Sequence, residues 1–220
     1  MERTIRVTGK GNISVTPDTI RLLINQTNVL DSYEGAIKDS AERKGYLNEG
    51  FAKLGFKKEN LKTTYFNVDT KYERYRDKHD NWREKFLGYE FVHRMKLEFP
   101  KDNELLGKVL GVMAKCVGEP EFSLQFTVSD PEAAKNELLA KAVEDSKAKA
   151  EVLSKASGVS LGDIMTIDYS WGELEIYSRP VESVKCFSWG GEEESDCIGM
   201  DIDPDDIDLT DTVTVVWGIK

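Results

Sequence analysis

The chain has 220 residues, 40% of them hydrophobic, with six Pro and three Cys, which describes one large domain or two small ones and excludes collagen-like, low-complexity and disulfide-framework classes. No apolar run approaches the roughly 20 residues that a spanning helix needs, so no membrane span is expected. Asp and Glu number 40 against 30 Lys and Arg, and the formal charge of -10 is concentrated between residues 186 and 219, where ten carboxylates occur without a Lys or Arg; broad attraction to phosphate backbones or anionic lipid is not expected of such a balance.

From Ile5 through Val7, Gly9, Gly11 and Ile13 to Val15, odd positions are apolar or Gly, the period of a strand with one buried face. This alternation begins at once, with no apolar signal core ahead of it, which predicts a cytoplasmic chain, or a periplasmic or exported one if a leader was removed. Pro17-Asp18 is turn chemistry, and Ile20, Leu22 and Ile24 restart the alternation, so the chain is expected to open with an antiparallel β-hairpin. Asp31 and Glu34 have capping-box spacing ahead of a helix that carries Tyr33, Ile37, Ala41, Leu47, Phe51 and Leu54 inward and stops near Gly55. Gly35, Gly45 and Gly50 each weaken that helix by about 1 kcal/mol relative to Ala, so packing on a sheet must hold it.

Two strands follow, one with Phe66, Val68, Thr70 and Tyr72, the other with Leu87, Tyr89, Phe91, Met95, Leu97 and Phe99; the polar stretch 73–85 between them reads as a hairpin tip. A second helix is expected over about 102–116, with Leu105, Val109, Val112 and Cys116 on one stripe and Gly118 as its stop. After a strand with Phe122, Leu124, Phe126 and Val128, Asp130-Pro131 supplies an N-cap and a Pro at the first helical position. The third helix is expected to turn Leu139, Val143, Ser146, Ala150 and Leu153 inward and to end at Gly158. Strands with Met165, Ile167, Tyr169 and Trp171, then with Leu209, Val213, Val215, Trp217 and Ile219, complete the order β-β-α-β-β-α-β-α-β-β. That order predicts an α+β fold, a mixed, largely antiparallel sheet with helices packed on one face. It spans 1–220 as a single domain or as two intertwined α/β subdomains, with a flexible acidic excursion at about 172–208.

With the elements placed, several segments are similar to the SIMPL-domain family, a domain of unknown function. They are Ile5-Arg6-Val7-Thr8-Gly9-Lys10-Gly11, Val15-Thr16-Pro17-Asp18, Leu61-Lys62-Thr63, Gly88-Tyr89, Phe126 with Ser129-Asp130, the helical run from Ala142 to Glu151, Gly158 with Leu161-Gly162, and Val213-Thr214-Val215. The order of these pieces over nearly the whole chain carries the resemblance. It implies an α+β domain found in bacterial periplasmic or envelope proteins, some linked to oxidative stress or known as immunogens, and able to form large homo-oligomeric assemblies; an animal member associates with a kinase of innate immune signalling. No catalytic residue follows from it.

The residues themselves offer little chemistry. Gly158-Val159-Ser160-Leu161-Gly162 fits the text of a nucleophile elbow, but a helix precedes it and both histidines, His79 and His93, lie upstream, so a helix stop and turn is the better reading. His93 falls on the apolar side of its strand and is expected to be structural and hydrogen-bonded; His79 is expected to be solvated. Cys186 and Cys197 form a possible redox pair, as a disulfide under oxidising conditions or as free thiols in a reducing compartment, while Cys116 is expected to act as a small core hydrophobe. Asp201-Ile202-Asp203-Pro204-Asp205 begins like a calcium loop, yet Asp206 stands at the Gly position and Thr212 at the closing Glu position. No cofactor is expected.

Between Lys71 and Lys85 six basic residues alternate with Tyr72, Tyr75 and Trp82, and four acidic residues cancel most of the charge. Arg74, Arg76, Trp82 and Arg83 are therefore the candidate interaction surface, as an anchor for a neighbouring subunit or protein partner, with nucleic acid the weaker fit. The sequence reading is a non-enzymatic, self-associating assembly or interaction module, stress-related by resemblance. The alternatives are an enzyme whose site forms at a subunit interface and an RNA or single-strand binder using the 71–85 hairpin.

Overall fold

The computed structural model describes residues 3–169, 176–178 and 202–220. Among these residues seven strands and three α-helices follow in the order that periodicity predicts: β1 (Thr4–Val15), β2 (Thr19–Leu30), α1 (Tyr33–Lys53), β3 (Lys62–Arg76), β4 (Trp82–Pro100), α2 (Asn103–Ala114), β5 (Glu121–Thr127), α3 (Pro131–Ala156), β6 (Leu161–Asp168) and β7 (Ile207–Ile219). The fold is α+β, with its strands shared between two sheets ordered β1-β7-β6 and β3-β4-β2-β5. Two compact units result, one from the described parts of Met1–Asp18, Thr127–Ser178 and Pro204–Lys220, the other from those of Thr19–Phe126 and Arg179–Asp203.

The expected opening hairpin does not form. β1 runs antiparallel to β7 from Thr4↔Gly218 to Val15↔Ile207, and β2 runs antiparallel to β4 from Thr19↔Pro100 to Leu30↔Tyr89. Alternation and a turn at Pro17-Asp18 identify two strands, but neither says which neighbour each strand hydrogen-bonds. Asp18 instead joins two passages of the chain within the first unit: its carboxylate accepts the Ser129 N–H at 2.7 Å and the Ser129 hydroxyl at 2.6 Å.

In that first unit α3 lies on the face of β1 and β7 that carries Val7, Ile13, Leu209, Val213, Val215 and Trp217. Its buried stripe is Ala134, Leu138, Ala142, Ser146, Ala150 and Ser154; the expected Ser146 and Ala150 lie on it, Leu139 and Val143 pack at its margin, and Leu153, expected inward, is exposed. What sets this stripe lies opposite the helix. A Cβ on Gly9 would come within 1.9 Å of the Ala142 carbonyl oxygen, and one on Gly11 within 2.2 Å of the Leu138 oxygen. The helix backbone sits directly on the strand backbone, and small residues are what that distance admits. Asp130 caps α3 by accepting the Ala133 N–H, with Pro131 following.

The second unit has the order β-α-β-β-α-β, a split βαβ arrangement. Ile20, Leu22 and Ile24 of β2 lie opposite Phe99, Leu97 and Met95 of β4, and this face joins Leu47 and Phe51 of α1 and Leu106, Val109, Leu110 and Met113 of α2 in one core. Burying each such side chain contributes about 1.5–3 kcal/mol. Ser32, rather than Asp31, caps α1 by accepting the Gly35 N–H. Asp102 caps α2.

Candidate functional site

β3 and β4 form a long antiparallel hairpin closed by a turn at residues 77–81, where the Asp77 N–H donates to the Asn81 carbonyl at 2.9 Å. The Asp77 carboxylate accepts the N–H groups of His79 and Asn81 and the Nε–H of Arg83. The Asn81 and His79 amides, then Arg83, hold that carboxyl below the usual carboxylate range. Asp80 takes φ +59°, a conformation that short polar side chains tolerate in turns.

The four predicted interaction residues all lie on this hairpin, and the structure commits most of their charge internally. Arg74 donates to Glu84 at 2.8 Å, Arg83 to Asp77 at 3.0 Å, and Arg76 to Asp80 at 2.6 Å. Arg76 also lies over the Trp82 ring, 4.9 Å from its centroid, while Trp82 remains 65% exposed. Guanidinium groups already paired with carboxylates are weak partners for phosphate, and exposed pairs of this kind each contribute about 0–1 kcal/mol to stability.

What the hairpin brings together is aromatic. Tyr72 meets Phe86 at 5.5 Å between centroids, Phe86 meets Tyr89 at 5.5 Å, and Tyr89 meets Tyr33 of α1 at 5.8 Å, all edge to face. Tyr33, Tyr72 and Phe86 are exposed. The row depends on one irregularity. Lys71 lies opposite Gly88 and Tyr72 opposite Phe86, so Leu87 is an extra residue in β4. In regular alternation Phe86 and Tyr89, three residues apart, would point to opposite faces; the bulge at Leu87 puts them on one. Gly88 takes φ +139°, and a Cβ there would come within 2.3 Å of the Leu30 carbonyl oxygen. Phe86, Tyr89 and Tyr33 are the residues that sequence reasoning missed; Gly88 within an otherwise alternating strand is the signal that points to them.

His93 occupies a second polar constellation, beneath α1. Its Nδ1 lies 2.8 Å from Ser40 Oγ and its Nε2 2.9 Å from Thr63 Oγ1, which also accepts from Lys44 Nζ at 3.0 Å. Each hydroxyl can donate or accept, so the pair satisfies both ring nitrogens of the neutral imidazole. Burial, then the Lys44 charge, pushes the imidazole pKa below its ordinary value. Ser40 is 1% exposed and His93 6%, so this Ser–His contact is closed to substrate and serves the core, as the apolar side of the strand predicts.

The remaining sequence candidates separate. Ser160 pairs its backbone with Lys220 in both directions at 3.0 Å, and Gly158 at φ +70° ends α3. Asp203 accepts from Lys101 Nζ at 2.8 Å, and that hydrogen bond and charge hold its carboxyl low. Cys116 is partly buried against the second unit's core, where burial pushes its thiol up. Cys186, Cys197, Trp171, Asp201 and most of the acidic excursion lie outside the described residues. Among the described residues no group of three His, Cys, Asp or Glu side chains is placed to hold a metal ion. No described helix is long and apolar enough to cross a membrane. A groove of about 710 Å³ runs between α1 and α2, with Tyr46, Gly50, Lys53, Val112 and Lys115 among its walls; it holds none of the predicted interaction residues.

Compared with known proteins, residues 5–217 match the family model described as SIMPL, protein of unknown function (DUF541). No curated protein matches the chain.

Proposed function

We propose, from the premise that this chain belongs to the SIMPL family of proteins of unknown function, that it is a self-associating interaction module working through the β3–β4 hairpin and not through chemistry of its own. The carrying observation is the aromatic row Tyr72–Phe86–Tyr89–Tyr33, of which Tyr72, Phe86 and Tyr33 are exposed, on a hairpin that also exposes Trp82. Aromatic side chains dominate the energetics of protein interfaces. The neutralised arginines favour a protein neighbour over nucleic acid, since phosphate contacts need free cations. The sealing of Ser40 and His93 supports a non-catalytic reading of the Ser–His contact.

Light scattering over a range of concentrations, with and without reductant, tests the proposal. The expected result is a discrete assembly independent of reductant that loses mass when Tyr72→Ser and Phe86→Ser are combined. A monomer at every concentration overturns it.

A further inference from the structure

We propose that two copies of this chain join along their β3 strands, antiparallel and centred on Thr70, to make one continuous sheet from two four-stranded ones. The inference rests on the self-association proposed above and assigns it a surface, a register and a partner, a second copy of the same chain.

Among the described residues β3 is an edge strand, hydrogen-bonded to β4 on one side only. Thr64 is an extra residue in β3 and Leu87 an extra residue in β4, so β3 itself runs without interruption from Tyr65 to Arg76. The Thr70 N–H donates to Asp69 Oδ1 at 2.7 Å, the side chain of its own neighbour. That amide therefore points away from β4. Backbone N–H and C=O groups alternate in direction along a strand, so Phe66, Val68, Tyr72 and Arg74 present theirs along the same open edge. An edge of this length with unpaired amides is a template for another strand.

Charge selects the register. A strand paired with itself antiparallel has a residue at its centre, and centring on Asp69, Lys71 or Glu73 sets that charge against its own copy. Centring on Val68 leaves Asp69 opposite Asn67 of the second copy; centring on Tyr72 sets Lys71 against Glu73, a carboxylate that already faces Lys85 across the β3–β4 ladder, and leaves Asp69 opposite Tyr75 without a cation. Centring on Thr70 sets Asp69 against Lys71 of the second copy, twice by symmetry. It also sets Val68 against Tyr72, Phe66 against Arg74 and Tyr65 against Tyr75, with no like charges opposed. Residues directly opposite one another share a face, so Phe66 and Tyr72 of both copies extend the exposed aromatic row across the junction.

The chain on its own leaves an electrostatic mismatch at this point. Asp69 lies opposite Glu90 in the β3–β4 ladder, and carboxylates directly opposite are unfavourable. Lys71 serves Glu90, at 2.9 and 3.0 Å, and among the described residues no cation is placed on Asp69, which bonds only its neighbour Thr70. Pairing two copies brings a second Lys71 to each Asp69 and frees the Thr70 N–H for the new ladder.

The test is the solution mass, by light scattering, of the full chain and its variants. Thr70→Pro removes an amide hydrogen that the β3–β4 ladder does not use, at an edge where Pro is tolerated. Its far-UV circular dichroism should match the unaltered chain while the assembly falls to half its mass. Asp69→Lys sets two lysines opposite each other and Lys71→Asp two aspartates, so each alone should also halve the mass. An equimolar mixture of these two variants makes both pairs complementary and should restore it, which decides the matter even if Thr70→Pro does not fold. An unaltered chain that assembles, with a mass that neither Thr70→Pro nor the charge reversals change, overturns edge pairing and leaves self-association standing. Single reversals that dissociate and a mixture that stays dissociated overturn the register. A monomeric unaltered chain overturns both proposals.

Discussion

At the scale of single residues, His93 shows how a polar side chain is kept inside a core. Both ring nitrogens have hydroxyl partners, so the neutral ring is satisfied, while a protonated ring would face burial and the Lys44 ammonium. The folded protein therefore holds this imidazole below its ordinary 6.5, and binds fewer protons there than the unfolded chain does. The stabilisation is present above 6.5 and is lost as pH falls from 6.5 through the folded value. The urea midpoint should drop between about pH 7.5 and pH 5.5, the range in which an imidazole titrates, and the drop should disappear in His93→Gln. An equal drop in that variant would assign the acid sensitivity to other groups. His93 was legible in the sequence because it interrupts an apolar alternation; Ser40 and Thr63 were not, because helix and strand offsets do not say which hydroxyl a ring nitrogen will meet.

At the scale of elements, existence and order were legible while pairing and facing were not. Period 2 and period 3.6 are local signals, and Asp130-Pro131 and Gly158 mark the ends of α3 where they are found. Of the expected stripe, Ser146 and Ala150 are buried, Leu139 and Val143 lie at its margin and Leu153 is exposed; only the glycines of β1 reveal that the closest approach falls on the line of Leu138, Ala142 and Ser146. The hairpin was legible as a charged tip carrying Arg74, Arg76, Trp82 and Arg83; the pairing of those arginines and the aromatic row, which turns on one extra residue at Leu87, need the register. The helix–strand contact gives a prediction with a built-in control. Gly9→Ala drives a methyl group into the Ala142 carbonyl and should destabilise the first unit by about 3 kcal/mol, the upper range for overpacking. Gly45→Ala, inside α1 with nothing within 4 Å, should stabilise the second unit by about 0.5–1 kcal/mol. Urea titrations read both, and a tolerated Gly9→Ala would deny the close approach.

At the scale of the whole molecule, the two units differ in how far apart in sequence their strands lie. Among the described residues the second takes its helices and strands from one continuous stretch, β2 to β5, which holds all the buried residues of its core. A fragment of residues 19–126 should fold alone, with a cooperative urea transition followed by far-UV circular dichroism; a broad, sloping transition would show that this core depends on the rest of the chain. The first unit needs β1 and β7 to meet, and long-range pairing of that kind is slow. On the ribosome the consequence is one of timing. At about 5–20 residues per second, β1 waits roughly 10–40 s after emerging before β7 is made to receive it, with the whole second unit synthesised in between. A product cut short between Asp203 and Ile207 holds every segment of the second unit and leaves β1 without β7, so completion of the first unit's sheet coincides with translation of the last strand.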